Sequence, residues 1–409
     1  MILIKLSKLI LILNKYINSA FYKFNRALGR ILEAKIQKPE NEGKKIVVFK
    51  PQTKETFVMP HVLGFINGSF EIDYPEISLW KFEKASIFYK SDVVLTKSGN
   101  VIWPKYFKYN YNHNITIDRN TVQDSYGLCE HNGILSIKKP KHVKIIDVVF
   151  SMIGVYDNIW AHALVEYIPK ISVLSNAIKD SNRKVTVVIP EYTDGQLKEI
   201  VLDILKKYDV NIYQMSSNET IEAEILYYIE RPTTFTDRET SVSIGDSTIP
   251  VATANYVKKE IVEPLQIDVK LNPSYKRIFL ARRGGLGKGL INGSDVENYF
   301  EKLGFVFVEP HKLSLKEKVE MFMSAEYIAG PGGSAFTNLI FCRPGTKVIK
   351  FSNFQRQFEN YISLSIQHFG IDVIYLTGID DKSASNLTHC SYYLPLDKVK
   401  QACEYHGII

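Results

Sequence analysis

The chain has 409 residues, 45% hydrophobic and 23% charged, a balance that excludes a disordered or fibrous protein and supports two or three cores. Its net charge of +7 lies entirely in residues 1–38, where eight Lys and Arg face one Glu; residues 39–409 balance 43 bases against 43 acids. A surface that tracks nucleic acid needs its excess on the folded body and is excluded, and no run of about 18 uncharged apolar residues offers a transmembrane helix.

From the N-terminus, residues 3–31 fit a helix at about 100° per residue. Leu3, Leu6, Ile10, Leu13, Ile17, Phe21, Phe24, Leu28 and Ile31 form one stripe, and Lys5, Lys8, Lys15, Lys23, Arg26 and Arg30 form the opposite face. A basic face opposite Leu and Phe suits an anionic membrane surface; it equally suits packing on the body of the protein or on a second copy. No signal peptide is expected, because the apolar run between Lys8 and Lys15 is short and no small-residue cleavage site follows. Residues 39–44 read as a linker, and residues 45–144 as short strands, among them 45–50, 85–89 and 93–95.

Strand-like and helix-like segments then alternate: strand 143–150, helix 158–175, strand 184–189, helix 194–208. After a polar, irregular stretch at 231–255 a second alternating unit begins. It runs strand 277–281, helix 294–303 capped by Ser294, strand 305–308, helix 314–325, strand 327–329, helix 334–341, strand 347–351, helix 357–369 and strand 373–376. Ser314 with Glu317 has the spacing of a capping box. The alternation predicts parallel α/β structure in two halves with a ligand cleft between them. The four cysteines, Cys129, Cys342, Cys390 and Cys403, form no Cys-x-x-Cys pair, so neither a zinc site nor a disulfide framework is expected.

Three stretches can carry chemistry. Gly330-Pro331-Gly332-Gly333-Ser334 follows a strand and opens a helix through Thr337 and Asn338. Glycines admit a ligand close to the backbone, and a helix N-terminus suits a phosphate; a plain strand-to-helix turn uses the same residues. Arg282, Arg283 and Lys288 stand on a glycine-rich loop after strand 277–281, fit to clamp a diphosphate or to form a solvated turn. His162 and Glu166, four apart, share a helix face, as a general base and its orienting carboxylate would. The same spacing also fits a satisfied histidine beside a Glu166–Lys170 surface pair.

In this order the stretches resemble glycosyltransferase family 61, the capsular polysaccharide biosynthesis group. The family runs roughly N-x-x-H-W-x-x-E-x-x-P-R-L, then an Arg-Arg loop with a later Asn, then L-S-L-x-E-Q, then G-x-H-G-A-x-L-T-N-x-x-F-x-x-P-G-T. Here these become His162, Glu166, Pro169 and Lys170; Arg282, Arg283 and Asn292; the run from Leu313 through Glu317 to Lys318; and Gly330, Gly333, Thr337, Asn338, Phe341, Pro344, Gly345 and Thr346. The chain departs at Gly332, where the family has histidine, at Ala163, where it has tryptophan, and at Lys350, where an acidic residue often stands.

The resemblance implies a GT-B-like fold, two Rossmann-like halves facing a cleft, preceded here by the amphipathic helix. The expected domains are that basic helix at 1–38, an acceptor-side α/β domain at 45–255, a nucleotide-sugar-binding domain at 274–380 and a C-terminal tail with a helix at 381–409. It implies an inverting transfer of sugar from a nucleotide sugar to a glycan or lipid-linked glycan acceptor, as in capsule or O-antigen synthesis. No Asp-x-Asp motif occurs and no metal or cofactor is expected. His162 and Glu166 would be catalytic; Arg282, Arg283, Lys288, Glu317, Gly330, Gly332, Gly333, Ser334, Thr337 and Asn338 would bind the donor. The setting would be cytoplasmic, on the inner face of the membrane, with a homo-oligomer compatible. The departures keep open a nucleotide-sugar-binding protein that has lost catalysis, and glycine turns that are only turns would fit a non-enzymatic interaction protein.

Overall fold

Apolar runs too short for helices, separated by helix-length amphipathic stretches, give parallel sheets whose buried strands are covered on both faces. The computed structural model describes residues 31–58, 61–62, 69–74, 76–102, 129–131, 134–138, 142–217, 219–231, 234–235, 247–267, 272–281, 289–353, 369–381 and 390–409. Residues 1–30 of the expected basic helix, residues 357–368 of another expected helix, and Arg282, Arg283 and Lys288 lie outside them. No helix among the described residues is long and apolar enough to cross a membrane.

The segment at 31–38, assigned to the basic helix, is largely a strand instead. β1 (Ile31–Gln37) pairs antiparallel with Ile134–Lys138 and parallel with Val101–Ile102. The reason is a change of period: Leu32-Glu33-Ala34-Lys35-Ile36-Gln37 alternates apolar and polar, which suits a strand. The linker at 39–44 contains a single helical turn, Pro39–Glu42.

The first sheet is mixed. β2 (Lys44–Lys50) lies antiparallel to the long β3 (Ile77–Phe88). β4 (His142–Ser151), β5 (Thr186–Pro190), β6 (Asn211–Met215) and β7 (Glu219–Ile229) form its parallel part. They stand side by side as β6-β5-β4-β7, with β3 antiparallel beyond β7. The chain therefore winds outward in one direction from β4 and then returns to its other side. α1 (Leu174–Ser181) and α2 (Gly195–Leu205), capped by Asp194, are among the connecting helices.

The second sheet contains β8 (Arg277–Leu280), β9 (Val306–Val308), β10 (Tyr327–Pro331), β11 (Lys347–Ser352) and β12 (Asp372–Thr377). All are parallel, in the order β9-β8-β10-β11-β12, with His61–Val62 added at the far edge. α3 (Gly293–Lys302) is capped at Asn292, not Ser294, and without a side-chain bond. The Asn292 amide is engaged elsewhere, bonding both the N–H and the C=O of Leu394. α4 (Leu315–Ser324) has the predicted capping box of Ser314 and Glu317. α5 (Leu396–Tyr405), in the expected C-terminal tail, buries Val399, Ala402 and Cys403 against Phe279 and Phe351 of the second sheet.

The largest apolar core joins the two halves. It runs from Val148 and Phe150 of β4 through Leu164 and Ile168 to Leu339, Ile340 and Val348. Separate cores fill the outer faces, around Trp80, Phe82 and Leu226 in the first half and around Phe279, Phe300 and Phe351 in the second. Cys342, Cys390 and Cys403 are free and buried.

Candidate active site

In open α/β sheets the crevice lies at the carboxyl ends of the strands, at the point where the winding reverses. The first sheet reverses between β4 and β7, and the second between β8 and β10. Among the described candidates, His162 and Glu166 follow β4 at the first point, and Gly330, Gly332, Gly333, Ser334, Thr337 and Asn338 end or follow β10 at the second.

After β4 the chain makes a turn at 152–159 and enters a helical run. Trp160–His162 is α-helical, Ala163–Tyr167 a π turn with the Ile168 N–H bonded to the Ala163 C=O, and Ile168–Val173 is 3₁₀. Pro169 lacks the N–H that would continue an α ladder, which accounts for the tightening after it. Gly154 makes room for Tyr167: a Cβ there would lie 2.1 Å from its ring.

The expected pair is formed. His162 Nδ1 and Glu166 Oε1 are 2.7 Å apart. The His162 side chain is 19% exposed and that of Glu166 is fully buried. Burial pushes the Glu166 carboxyl up, but the adjacent His162 and Arg231 outweigh it and hold it below the usual carboxylate range. A carboxylate only accepts, so Nδ1 of a neutral His162 carries the hydrogen and Nε2 is the basic nitrogen. Tyr156 lies against the imidazole, with ring centres 4.6 Å apart.

The surface pair Glu166–Lys170 is not formed, and both residues are buried. Glu166 Oε2 instead accepts from Arg231 Nη1 at 3.0 Å. Arg231 lies two residues beyond β7, so the reversal point itself brings it to the helix that follows β4. Lys170 lies 3.9 Å from Asp92 Oδ1 and over the Tyr167 ring, and burial lowers it to about 8. Burial raises Asp157 to about 7, although its carboxylate accepts from the Gly154 N–H.

At the second reversal point, β10 ends at Pro331 beside the end of β8. Gly330 serves close packing of the strands: with φ +155°, a Cβ there would come within 2.9 Å of the Leu280 carbonyl. The Gly332 N–H donates to the Phe351 C=O at 2.7 Å. Ser334–Phe341 is a 3₁₀ helix entered from Gly333, with Ser334 exposed and Thr337 and Asn338 buried. Ala281 is the last described residue after β8; Arg282, Arg283 and Lys288 lie outside the described residues. Glu317, grouped with the donor residues by resemblance, is engaged at the start of α4, its carboxylate bonded to both the N–H and the hydroxyl of Ser314. Lys350, beside Gly330 in the sheet, is buried with its ammonium 4.6 Å from the centre of the Tyr375 ring.

The two points are tied together. Trp160 Nε1, two residues before His162, donates to Asn338 Oδ1 at 2.9 Å, and the Asn338 amide also donates to the Ala335 C=O. Lys318 lies 3.7 Å from the centre of the Trp160 ring and bonds Gln196, whose amide reaches the Leu313 C=O. Burial lowers Lys318 to about 8. Sequence reasoning gave no role to Arg231, Asp92, Trp160 or Lys318; the available signals were the position of Arg231 just past an apolar strand and the place of Lys318 in the third family motif.

Residues 160–349 match the family model Glycosyltransferase 61. The chain carries a glycosyltransferase 61 domain. The match opens at Trp160, after β4, and closes in β11, and so includes β7, the second reversal point and the Trp160–Asn338 bond. The activity of this glycosyltransferase is sugar transfer, and the family implies a nucleotide-sugar donor and a glycan acceptor. No curated protein matches the chain.

Proposed function

We propose that the chain is an inverting, metal-independent glycosyltransferase of GT-B type. The observation that carries this reading is the 2.7 Å His162–Glu166 bond, seated at one reversal point and tied to the glycine turn of the other through Trp160 and Asn338.

The reaction is a single displacement. An acceptor hydroxyl attacks the anomeric carbon as its proton passes to His162 Nε2, and Glu166 stabilises the imidazolium that forms. The bond from the anomeric carbon to the diphosphate breaks, and the nucleoside diphosphate leaves with the electron pair. Negative charge develops on that leaving group. Arg282, Arg283, Lys288 and the backbone N–H groups opening at Gly333 and Ser334 are the groups assigned to offset it. The acceptor is a glycan or lipid-linked glycan of capsule or O-antigen type, and the basic stripe of residues 3–31 holds the enzyme at the inner leaflet, each Lys or Arg contributing about 1 kcal/mol there.

Thermal shifts against a panel of nucleoside diphosphates and nucleotide sugars test the donor reading. A ligand at 100 times its dissociation constant stabilises by about 2.7 kcal/mol, and a panel in which none raises Tm overturns it. Transfer that stops in EDTA contradicts metal independence. A variant lacking residues 2–30 that sediments with anionic vesicles as the full chain does removes the membrane assignment.

A further inference from the structure

The carboxylate behind His162 belongs to a larger set of buried charges drawn from separate parts of the chain. Glu166 Oε2 accepts from Arg231, and Arg231 Nε lies 3.5 Å from Asp92 Oδ2. Asp92 sits in the turn after β3, four residues beyond Phe88. Its carboxylate also accepts from the Val155 N–H at 3.3 Å and the Tyr167 hydroxyl at 3.2 Å. The Tyr228 hydroxyl donates to its backbone carbonyl. Charges taken out of water cost stability unless paired, and an apolar filling of similar shape is often more stable. A cluster held this closely against a titrating side chain therefore points to control of that side chain.

Acidic and basic groups alternate: Arg231 lies between Glu166 and Asp92, Lys170 lies beside Asp92, and Glu230, next to Arg231 in the chain, is buried as well. Asp157 faces the same cluster from the turn after β4, and Lys90 acts on it from the rim. Tyr156 lies against the His162 ring, and burial holds the Tyr167 hydroxyl protonated. The His162–Glu166 pair thus has Arg231 as the cation in direct contact with its carboxylate. Taking Arg231 away leaves two carboxylates facing one ammonium, and the His162–Glu166 pair then holds a proton before any acceptor arrives. Taking Asp92 away does the reverse.

We propose that Arg231, seated by Asp92, is a positioning residue that keeps the His162–Glu166 pair unprotonated and its hydrogen bond fixed, ready to accept the acceptor's proton. This rests on the reading of His162 as the base. Asp92 lies outside the matched segment 160–349, so the role reaches beyond the family domain.

The test needs no sugar donor. In the full chain labelled with ¹⁵N-histidine, the His162 signal is identified by its loss in His162→Gln and followed through a pH titration. Arg231→Met moves the His162 midpoint up by about 1–3 pH units, the range for losing an opposite charge at this distance. Arg231→Lys, which keeps the charge, recovers most of the wild-type midpoint, and Asp92→Asn moves it down. If Arg231→Met does not fold by circular dichroism, Asp92→Asn and Arg231→Lys decide: opposite displacement in the first and recovery in the second support the proposal. Midpoints that stay put in folded variants, or that all move one way, mark a filler of the core and overturn it. Full transfer activity in His162→Ala would instead remove the base assignment and leave the measured midpoints standing.

Discussion

At the carboxyl edge of the first sheet, between β4 and β7, the reversal point is filled with side-chain charge: Glu166, Arg231, Asp92 and Lys170, all buried. At the corresponding edge of the second sheet, between β8 and β10, the described part is backbone and glycine: Gly330 against Leu280, Gly332 bonded to Phe351, and a 3₁₀ helix opening at Ser334. One topological device is used twice, and under the proposed function the first site holds the proton and the second admits the phosphate. Proton transfer requires a titrating group whose neighbours are fixed, whereas offsetting a leaving group requires donors that do not titrate.

The sharpest way to break this comparison is to remove the titrating group. His162→Ala is expected to lower kcat about 10²–10⁴-fold, the usual worth of a general base, with nucleotide affinity unchanged by calorimetry. A matching loss of affinity would merge the two sites that the comparison separates.

The glycines come next. Gly154→Ala drives a methyl into the Tyr167 ring of the first site, and Gly330→Ala drives one against the Leu280 backbone of the second. Each is expected to cost about 1–3 kcal/mol by denaturant unfolding. Gly154→Ala should also disturb the His162 titration, which Gly330→Ala should leave alone.

The third effect is on pH dependence. Asp157 titrates at about 7 in the folded chain and near 3.8 when unfolded, so the native state binds more protons between those values. Its contribution is complete below about pH 4 and is lost as pH rises through 7. Asp157→Asn should therefore flatten the fall in Tm across that window, raising Tm at pH 8 and not at pH 4. An unchanged profile would show that Asp157 is not the buried acid described.

The last effect is on the bond that joins the two sites. Trp160→Phe keeps the ring beside Lys318 and removes the bond to Asn338, at about 1–3 kcal/mol because the buried amide oxygen loses its donor. If the joint matters, the nucleotide-induced rise in Tm shrinks with it.

What could be read from the sequence follows the range of the interactions. The His162–Glu166 pair and the Ser314–Glu317 cap are three- and four-residue relations on one helix, and spacing is enough to see them. The alternation of strands and helices announced parallel sheets. The alternative pairing of Glu166 with Lys170 does not form, and the carboxylate's second partner, Arg231, 65 residues on, is near only through β7. Trp160 and Asn338 are 178 residues apart, beyond any local pattern. Ser294 looked like a cap, yet the helix starts at Gly293 because Asn292 is tied to Leu394. Residues 31–37 carried a strand's alternation where the basic helix pattern was run on to residue 38.

The most direct measurement is a crystal structure with the nucleoside diphosphate that gives the largest thermal shift. The account predicts the diphosphate at the carboxyl edge of β8 and β10, its oxygens on the Gly332–Ser334 turn and the Arg282–Lys288 segment, with His162 facing the vacant sugar position. A diphosphate bound at the opposite edge of the sheet, or out of reach of His162, would contradict it.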